Sequence, residues 1–251
     1  MTRVIDYILS TVYLLYFSLI LLLFHVAQLA AFGLGGRNAQ KEVANWLNWS
    51  IMQGWLLTGS SHRFRVGTMP ITSRPLIFVA NHQSMFDISP IAWYLRRYNP
   101  IFVSKKELGR GTPGISYNLR KSGAALVDRK DPRQAVSEIA RLGQRLKAGG
   151  CSVVIFPEGT RSRTGKLKPF AGAGLTILLR KCPDALIVPI AIQGTGTFNP
   201  NKLFPLRAFS HMTWTVLPPI DPQGVSGEAV AKQVQDVISA QMAGRRESSL
   251  S

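Results

Sequence analysis

The chain has 251 residues, 46% of them apolar, and its 30 Lys and Arg against 13 Asp and Glu leave a formal net charge of +17; this suffices for one domain of ordinary size with its own core and a terminal segment besides. The basic surplus is concentrated between Arg96 and Arg207 and calls for polyanionic partners, yet no recognition helix, zinc finger or RNP-type aromatic signature accompanies it, so an anionic membrane surface is expected and nucleic acid is not. Cys151 and Cys182 lack C-x-x-C spacing and paired histidines, which excludes a disulfide framework and a zinc site; both read as buried thiols in a reducing compartment, and no metal is expected.

From Tyr7 to Gly33 no side chain is formally charged, and His25 and Gln28 are the strongly polar interruptions. As a helix this run spans about 30 Å of hydrocarbon. It is too long for a signal-peptide core and lacks a small-x-small cleavage site, so it is expected to be retained. Gly33-Leu34-Gly35-Gly36 ends it. The uncharged stretch Ala44 to Leu57 follows, with Trp46, Trp49 and Trp55 close together. Indole is apolar with a single donor that seeks water, which suits headgroup depth. Residues 1–58 are therefore expected to form either a membrane-associating helical hairpin set in one leaflet or a single span followed by an interfacial helix. Arg37 and Lys41 follow the apolar run, whereas Arg3 before it is offset by Asp6. By the positive-inside rule the remainder is expected on the cytoplasmic face of the inner (plasma) membrane.

Beyond residue 60 short apolar runs bounded by Gly, Pro, Asn or charges predict strands at His62–Val66, Leu76–Ala80, Ile101–Ser104, Ala124–Val127, Ser152–Phe156, Leu186–Ile192 and Met212–Leu217. Helical patterns lie at Asp87–Arg97, Pro113–Lys121, Pro132–Ala148 and Gly172–Arg180. Asp131-Pro132 reads as an N-cap with a first-turn proline, and Gly149-Gly150 as a stop. The alternation predicts an α/β domain over residues 59–243, with a largely parallel sheet flanked by helices. Gly227 to Met242 closes it as an amphipathic helix, and residues 244–251 are expected to be a disordered tail.

Two motifs fall where strands end, the place at which open α/β sheets build their sites. Asn81-His82-Gln83-Ser84-Met85-Phe86-Asp87 follows the second strand and sets an imidazole five residues before a carboxylate. Imidazole in its unperturbed state titrates near neutrality, so His82 can act as a general base, and Asp87 can accept the other ring N–H, fixing the tautomer and stabilising the imidazolium. This is a Ser-His-Asp triad without its serine: no G-x-S-x-G elbow occurs, and Ser84 is the internal competitor. Phe156-Pro157-Glu158-Gly159-Thr160-Arg161-Ser162 follows the fifth strand. Gly159 permits close backbone approach, Arg161 offers a planar fork that matches phosphate oxygens, and Glu158 either hydrogen-bonds a substrate hydroxyl or holds the turn. Thr160 completes this turn.

Together these motifs resemble those of the glycerolipid acyltransferase superfamily. Over roughly residues 60–220 the chain most closely resembles the bacterial 1-acylglycerol-3-phosphate (lysophosphatidic acid) acyltransferases. The resemblance implies transfer of a fatty acyl group from acyl-coenzyme A or acyl-carrier protein to the sn-2 hydroxyl of lysophosphatidic acid, giving phosphatidic acid. The alternative is the same chemistry on another lysophospholipid or lyso-aminolipid. In the family the substrate hydroxyl occupies the nucleophile position, with no acyl-enzyme and no bound cofactor, the acyl thioester being a co-substrate. The resemblance also makes the Glu158 to Arg161 turn the site of the glycerol-bearing acceptor. Gly123 to Arg129 resembles the family's acceptor motif, with Ala124 and Ala125 where bulkier residues are common, so Arg129 carries over as a second phosphate ligand. Ser104 to Leu108 matches a further family stretch that makes Lys105 an aid to the thioester oxyanion. Val188-Pro189-Ile190 corresponds to a fourth block that lines acyl-chain space or simply ends a strand, and Lys166 and Lys168 meet either donor phosphates or lipid headgroups. The same resemblance favours the hairpin over the single span.

Overall fold

The structure, a computed structural model, describes residues 3–67, 69, 72–162 and 166–247. Its first helix, α1 (Val4–Gly54), is interrupted at Gly36, whose φ of 66° and ψ of −155° lie outside the helical region and suit a residue without Cβ. The arms on either side, 4–35 and 37–54, fold back on one another. The Tyr16 hydroxyl donates to the Ser50 carbonyl at 2.8 Å and Gln40 Nε2 to Gln28 Oε1 at 2.8 Å, pairings centred on the same point near Gly36, as antiparallel arms require. Gln28, a polar interruption in the apolar run, is thereby satisfied in a buried position, and its Nε2 also donates to the Gly114 carbonyl at 3.2 Å.

On one side of the first arm Tyr13, Phe17, Ile20 and Leu21 are buried at helical spacing. Opposite them Leu15, Leu19, Leu22, Leu23 and Val26 are uncovered. The segment Val4–Thr58 is long and apolar enough to cross a membrane, with mean hydropathy 2.2 in its most apolar window and only 28% of that window buried. The three tryptophans divide. Trp46 and Trp49 are exposed and meet Trp93, with ring centroids of Trp46 and Trp93 5.1 Å apart. Trp55 departs from the headgroup expectation: it is fully buried and stacks on Trp214 at 6.0 Å, because the α1 end packs against the sheet.

The strands β1 (Ser61–Val66), β2 (Leu76–Ala80), β3 (Pro100–Lys105), β4 (Ala125–Val127), β5 (Ser152–Ile155), β6 (Leu186–Gln193) and β7 (His211–Val216) form one 7-stranded sheet in the order β1-β7-β6-β2-β5-β3-β4. Every neighbouring pair is parallel except β6 with β7. Central β2, hydrogen-bonded to β5 and β6, is buried along its whole length, as its uninterrupted apolar sequence requires. Alternate residues feed two cores. Leu76, Phe78 and Ala80 join Tyr13, Phe17, Trp55, Phe86 and Trp214 on the hairpin side, whereas Ile77 and Val79 join Leu142, Leu146, Leu175, Val230 and Val234 on the other.

Helices α2 (Ile88–Tyr94), α3 (Ile115–Ser122), α4 (Pro132–Lys147), α5 (Ala173–Lys181), α6 (Thr195–Phe198) and α7 (Gly227–Glu247) complete the fold. Asp131 caps α4 by accepting from Gln134 N–H at 3.0 Å, with Pro132 in the first turn. The helix expected over Asp87–Arg97 is shorter, since 3-10 turns at Met85–Asp87 and Arg96–Tyr98 flank it. Cys182 is buried as expected, whereas Cys151, at the mouth of β5, is only half-buried. Helix α7 runs to Glu247, beyond its expected end, and residues 248–251 of the expected tail lie outside the described residues.

Candidate functional site

At the carboxyl end of β2, Asn81 makes two bonds to one residue of β6: its Nδ2 donates to the Ile192 carbonyl at 2.9 Å and its Oδ1 accepts from the Ile192 N–H at 2.7 Å. The chain leaves the sheet from this pinned point, and a 3-10 turn brings Asp87 back beneath His82. Asp87 Oδ2 lies 2.8 Å from His82 Nδ1 and accepts from the Gln83 and Ser84 N–H groups at 2.7 and 2.9 Å. Its Oδ1 accepts from the Thr195 hydroxyl at 2.5 Å, and the Trp214 indole donates to its carbonyl at 3.1 Å. A carboxylate on Nδ1 keeps the proton there and leaves the lone pair on Nε2, the state of a general base. The imidazole stacks on Phe156 at 4.3 Å. Ser84 is turned inward, buried, its hydroxyl oxygen accepting from Asn199 Nδ2 at 3.1 Å and the Phe86 N–H at 3.3 Å.

The second motif follows β5 and clasps the first. Glu158 Oε1 accepts from the His82 N–H at 2.7 Å, Oε2 accepts from the Lys168 N–H at 3.2 Å, and the Ser162 N–H donates to the His82 carbonyl at 2.7 Å. Burial pushes the Glu158 carboxyl up to about 7, the Asp87 charge adding to this while the two backbone donors and Lys168 oppose it. Gly159 sits at φ 68°, in the left-handed region, which lets the chain reverse directly after Glu158. Lys168 Nζ bridges Thr160 Oγ1 at 2.9 Å and the Arg161 carbonyl at 3.1 Å, and Ser162 Oγ donates to the Lys166 carbonyl.

His82, Lys105, Arg129, Gly159, Thr160 and Arg161 line one cleft of about 950 Å³. Two of the expected residues do not line it. Asp87 lies behind His82, where an orienting group belongs. Glu158, expected as a substrate ligand or a holder of the turn, has both carboxylate oxygens engaged by backbone donors and is placed as the holder. Lys168 joins the cleft wall. Among the described residues no group of three or more His, Cys, Asp or Glu is gathered to hold a metal ion.

A cavity of about 200 Å³ with a mainly apolar wall, lined by Phe17, Leu47, Ile51, Phe86 and Phe102 and also by Arg37, Lys41 and Asn45, adjoins the cleft. Ile88, Ser104 and Leu108 line both. Thr195 and Asn199, which reach the His82 turn from beyond β6, carry no local sequence signal; they were discernible only as polar residues just past a predicted strand.

Residues 61–193, just over half of the chain, match the family model described as Acyltransferase. The chain is 35% identical over 132 residues to the chloroplastic 1-acyl-sn-glycerol-3-phosphate acyltransferase BAT2 of Brassica napus, covering 53% of this chain and 37% of that protein. It is 34% identical over 145 residues to the 1-acyl-sn-glycerol-3-phosphate acyltransferase of Helicobacter pylori, covering 56% of this chain and 57% of that one. It thus spans between about a third and somewhat over half the length of such curated relatives. The crystal structure of the 1-acyl-sn-glycerophosphate (LPA) acyltransferase PlsC from Thermotoga maritima superposes with a TM-score of 0.76 at 22% identity over 95% of both chains, a likeness of fold.

Proposed function

Since the chain belongs to the acyltransferase family, we propose that it transfers a fatty acyl group from acyl-coenzyme A or acyl-carrier protein to the sn-2 hydroxyl of lysophosphatidic acid, giving phosphatidic acid for phospholipid synthesis. The observation that carries this reading is that His82, its Nδ1 2.8 Å from Asp87 Oδ2, lines one cleft together with Arg129 and Arg161. The 1-acyl-sn-glycerol-3-phosphate acyltransferases of Brassica napus and Helicobacter pylori are its relatives by sequence, and the activity in their names supports the choice of acceptor.

The reaction follows from the site. Arg129 and Arg161 hold the phosphate monoester with charge-assisted bonds, setting the glycerol hydroxyl beside His82. Nε2 removes the hydroxyl proton as the oxygen attacks the thioester carbonyl, and Asp87 stabilises the imidazolium so formed. Lys105, on the cleft wall, offsets the negative charge developing on the carbonyl oxygen. Collapse of the tetrahedral species breaks the C–S bond, and the imidazolium returns its proton to the departing thiolate. No side chain need be acylated, in keeping with the inward position of Ser84, and no resident cofactor takes part. The adjoining apolar cavity accepts an acyl chain.

The uncovered Leu15, Leu19, Leu22, Leu23 and Val26 face of α1 enters an anionic membrane, with Trp46 and Trp49 at headgroup depth and the α/β part on the cytoplasmic side. The deciding experiment gives purified full-length protein labelled acyl-coenzyme A or acyl-carrier protein with a panel of lysolipids. Phosphatidic acid as the dominant product supports the reading; preference for an acceptor lacking a phosphate monoester, or release of free fatty acid alone, overturns it.

A further inference from the structure

Oδ2 of Asp87 is crowded with donors, but among the described residues Oδ1 has a single one, the Thr195 hydroxyl at 2.5 Å, and both residues are fully buried. We infer that Thr195 is a positioning residue of the acyl-transfer site, its hydroxyl locking the plane of the Asp87 carboxylate so that the other oxygen stays aimed at His82 Nδ1. This rests on the reaction proposed above. The torsion that turns a carboxylate about its Cβ–Cγ bond is broad and twofold, so a group anchored through one oxygen still swings. A second anchor on the opposite oxygen fixes it. An O–H···O⁻ bond of this length belongs to the strong, charge-assisted kind.

The backbone is built to deliver that hydroxyl. Gly194, at φ 86°, turns the chain directly off β6, and a Cβ there would lie 2.1 Å from the His211 carbonyl oxygen, so no other residue fits. Thr195 thereby opens α6 beneath the His82 turn. The neighbouring contacts repeat the arrangement: Gly196 N–H lies 3.3 Å from Gln83 Oε1, and Asn199 Nδ2 donates to Ser84 Oγ at 3.1 Å. Gln83 Oε1, 3.3 Å from Thr195 Oγ1, competes for the same hydroxyl proton, but the charged Asp87 oxygen at 2.5 Å is the nearer and stronger acceptor and takes it. Thr195→Val keeps shape and volume but leaves a carboxylate oxygen buried without a donor, whereas Thr195→Ser keeps the donor.

The test compares wild-type protein, Thr195→Val and Thr195→Ser for kcat, both substrate KM values and thermal midpoint, with Thr195→Ala in place of Val should Val fail to fold. A parallel measurement follows the imidazole Nδ1–H proton resonance of His82 in histidine-labelled protein, which needs no turnover. The expected result is a fall in kcat of roughly tenfold to a hundredfold in the Val variant, with KM values within about twofold, restoration by Ser, and loss of the low-field Nδ1–H signal in Val alone. Unchanged kcat and unchanged resonance in Val, or equal losses in Val and Ser, would overturn the inference. Should the wild type transfer no acyl group, the reaction assignment fails, and the resonance alone then decides whether Thr195 holds Asp87 against His82.

Discussion

The backbone of His82 is gripped from both sides by the second motif: its N–H donates to Glu158 Oε1 at 2.7 Å, and its carbonyl accepts the Ser162 N–H at 2.7 Å. The turn bearing the base and the turn bearing Arg161 are therefore one mechanical unit, although 76 residues separate the first pair. Glu158 supplies two acceptor oxygens to two backbone donors, which only its ionised form does without adding a proton of its own.

Glu158→Gln offers one carbonyl oxygen to the same two N–H groups, so one donor loses its partner. The expected effect is a fall in kcat of about tenfold, in line with ~1.5–3 kcal/mol for hydrogen bonds to charged groups, with a much smaller change in acceptor KM. A dominant rise in acceptor KM with kcat intact would return Glu158 to the role of substrate ligand.

The same residue predicts a pH dependence of stability. Its carboxyl is pushed by burial from the ordinary 4.5 to about 7, so between those values the folded protein binds a proton that the unfolded chain has released. Stability from this group is thus lost as pH rises through that window. The thermal midpoint of wild type relative to Glu158→Gln should fall between pH 4.5 and 7 and level off above it. A difference that stays flat or rises across the window contradicts the shift.

Arg161→Ala and Arg129→Ala each truncate a basic residue that lines the cleft. Acceptor KM should rise by roughly tenfold to a hundredfold for each, with donor KM and kcat within a few-fold, as expected for charge-assisted bonds to phosphate. Steady-state kinetics with lysophosphatidic acid checks this, and an unchanged acceptor KM in both variants moves the phosphate elsewhere.

Leu15 and Leu19 are 69% and 55% exposed on the apolar face of α1. Replacing both by Glu should sharply weaken sedimentation with anionic phospholipid vesicles, since carrying acidic side chains into a bilayer is costly, while the thermal midpoint in detergent barely moves. Undiminished sedimentation would assign membrane attachment to the basic surface instead.

Much of this architecture is legible in the sequence because its strands are short apolar runs punctuated by Gly and Pro. Leu76–Ala80 is read to the residue, and the His82 and Asp87 motif falls at its end as a parallel sheet predicts. What escaped detection depends on contacts distant along the chain. Trp55 has the composition of an interfacial residue, and only its stacking on Trp214 reveals it as core. The four residues of α6 carry no periodicity, and Thr195 reaches Asp87 across 108 positions. For Glu158 the sequence leaves both ligand and brace open and leans to ligand, since only the positions of the His82 and Lys168 N–H groups distinguish them.

His82→Ala most directly probes the chemistry, assayed as labelled phosphatidic acid formed from lysophosphatidic acid and an acyl thioester, with the fold checked by thermal unfolding. Removal of the base should lower turnover by on the order of a hundredfold to ten-thousandfold while leaving the thermal midpoint close to that of wild type. Turnover retained above a few per cent of wild type in a folded His82→Ala protein would contradict the assignment of His82 as the group that takes the hydroxyl proton.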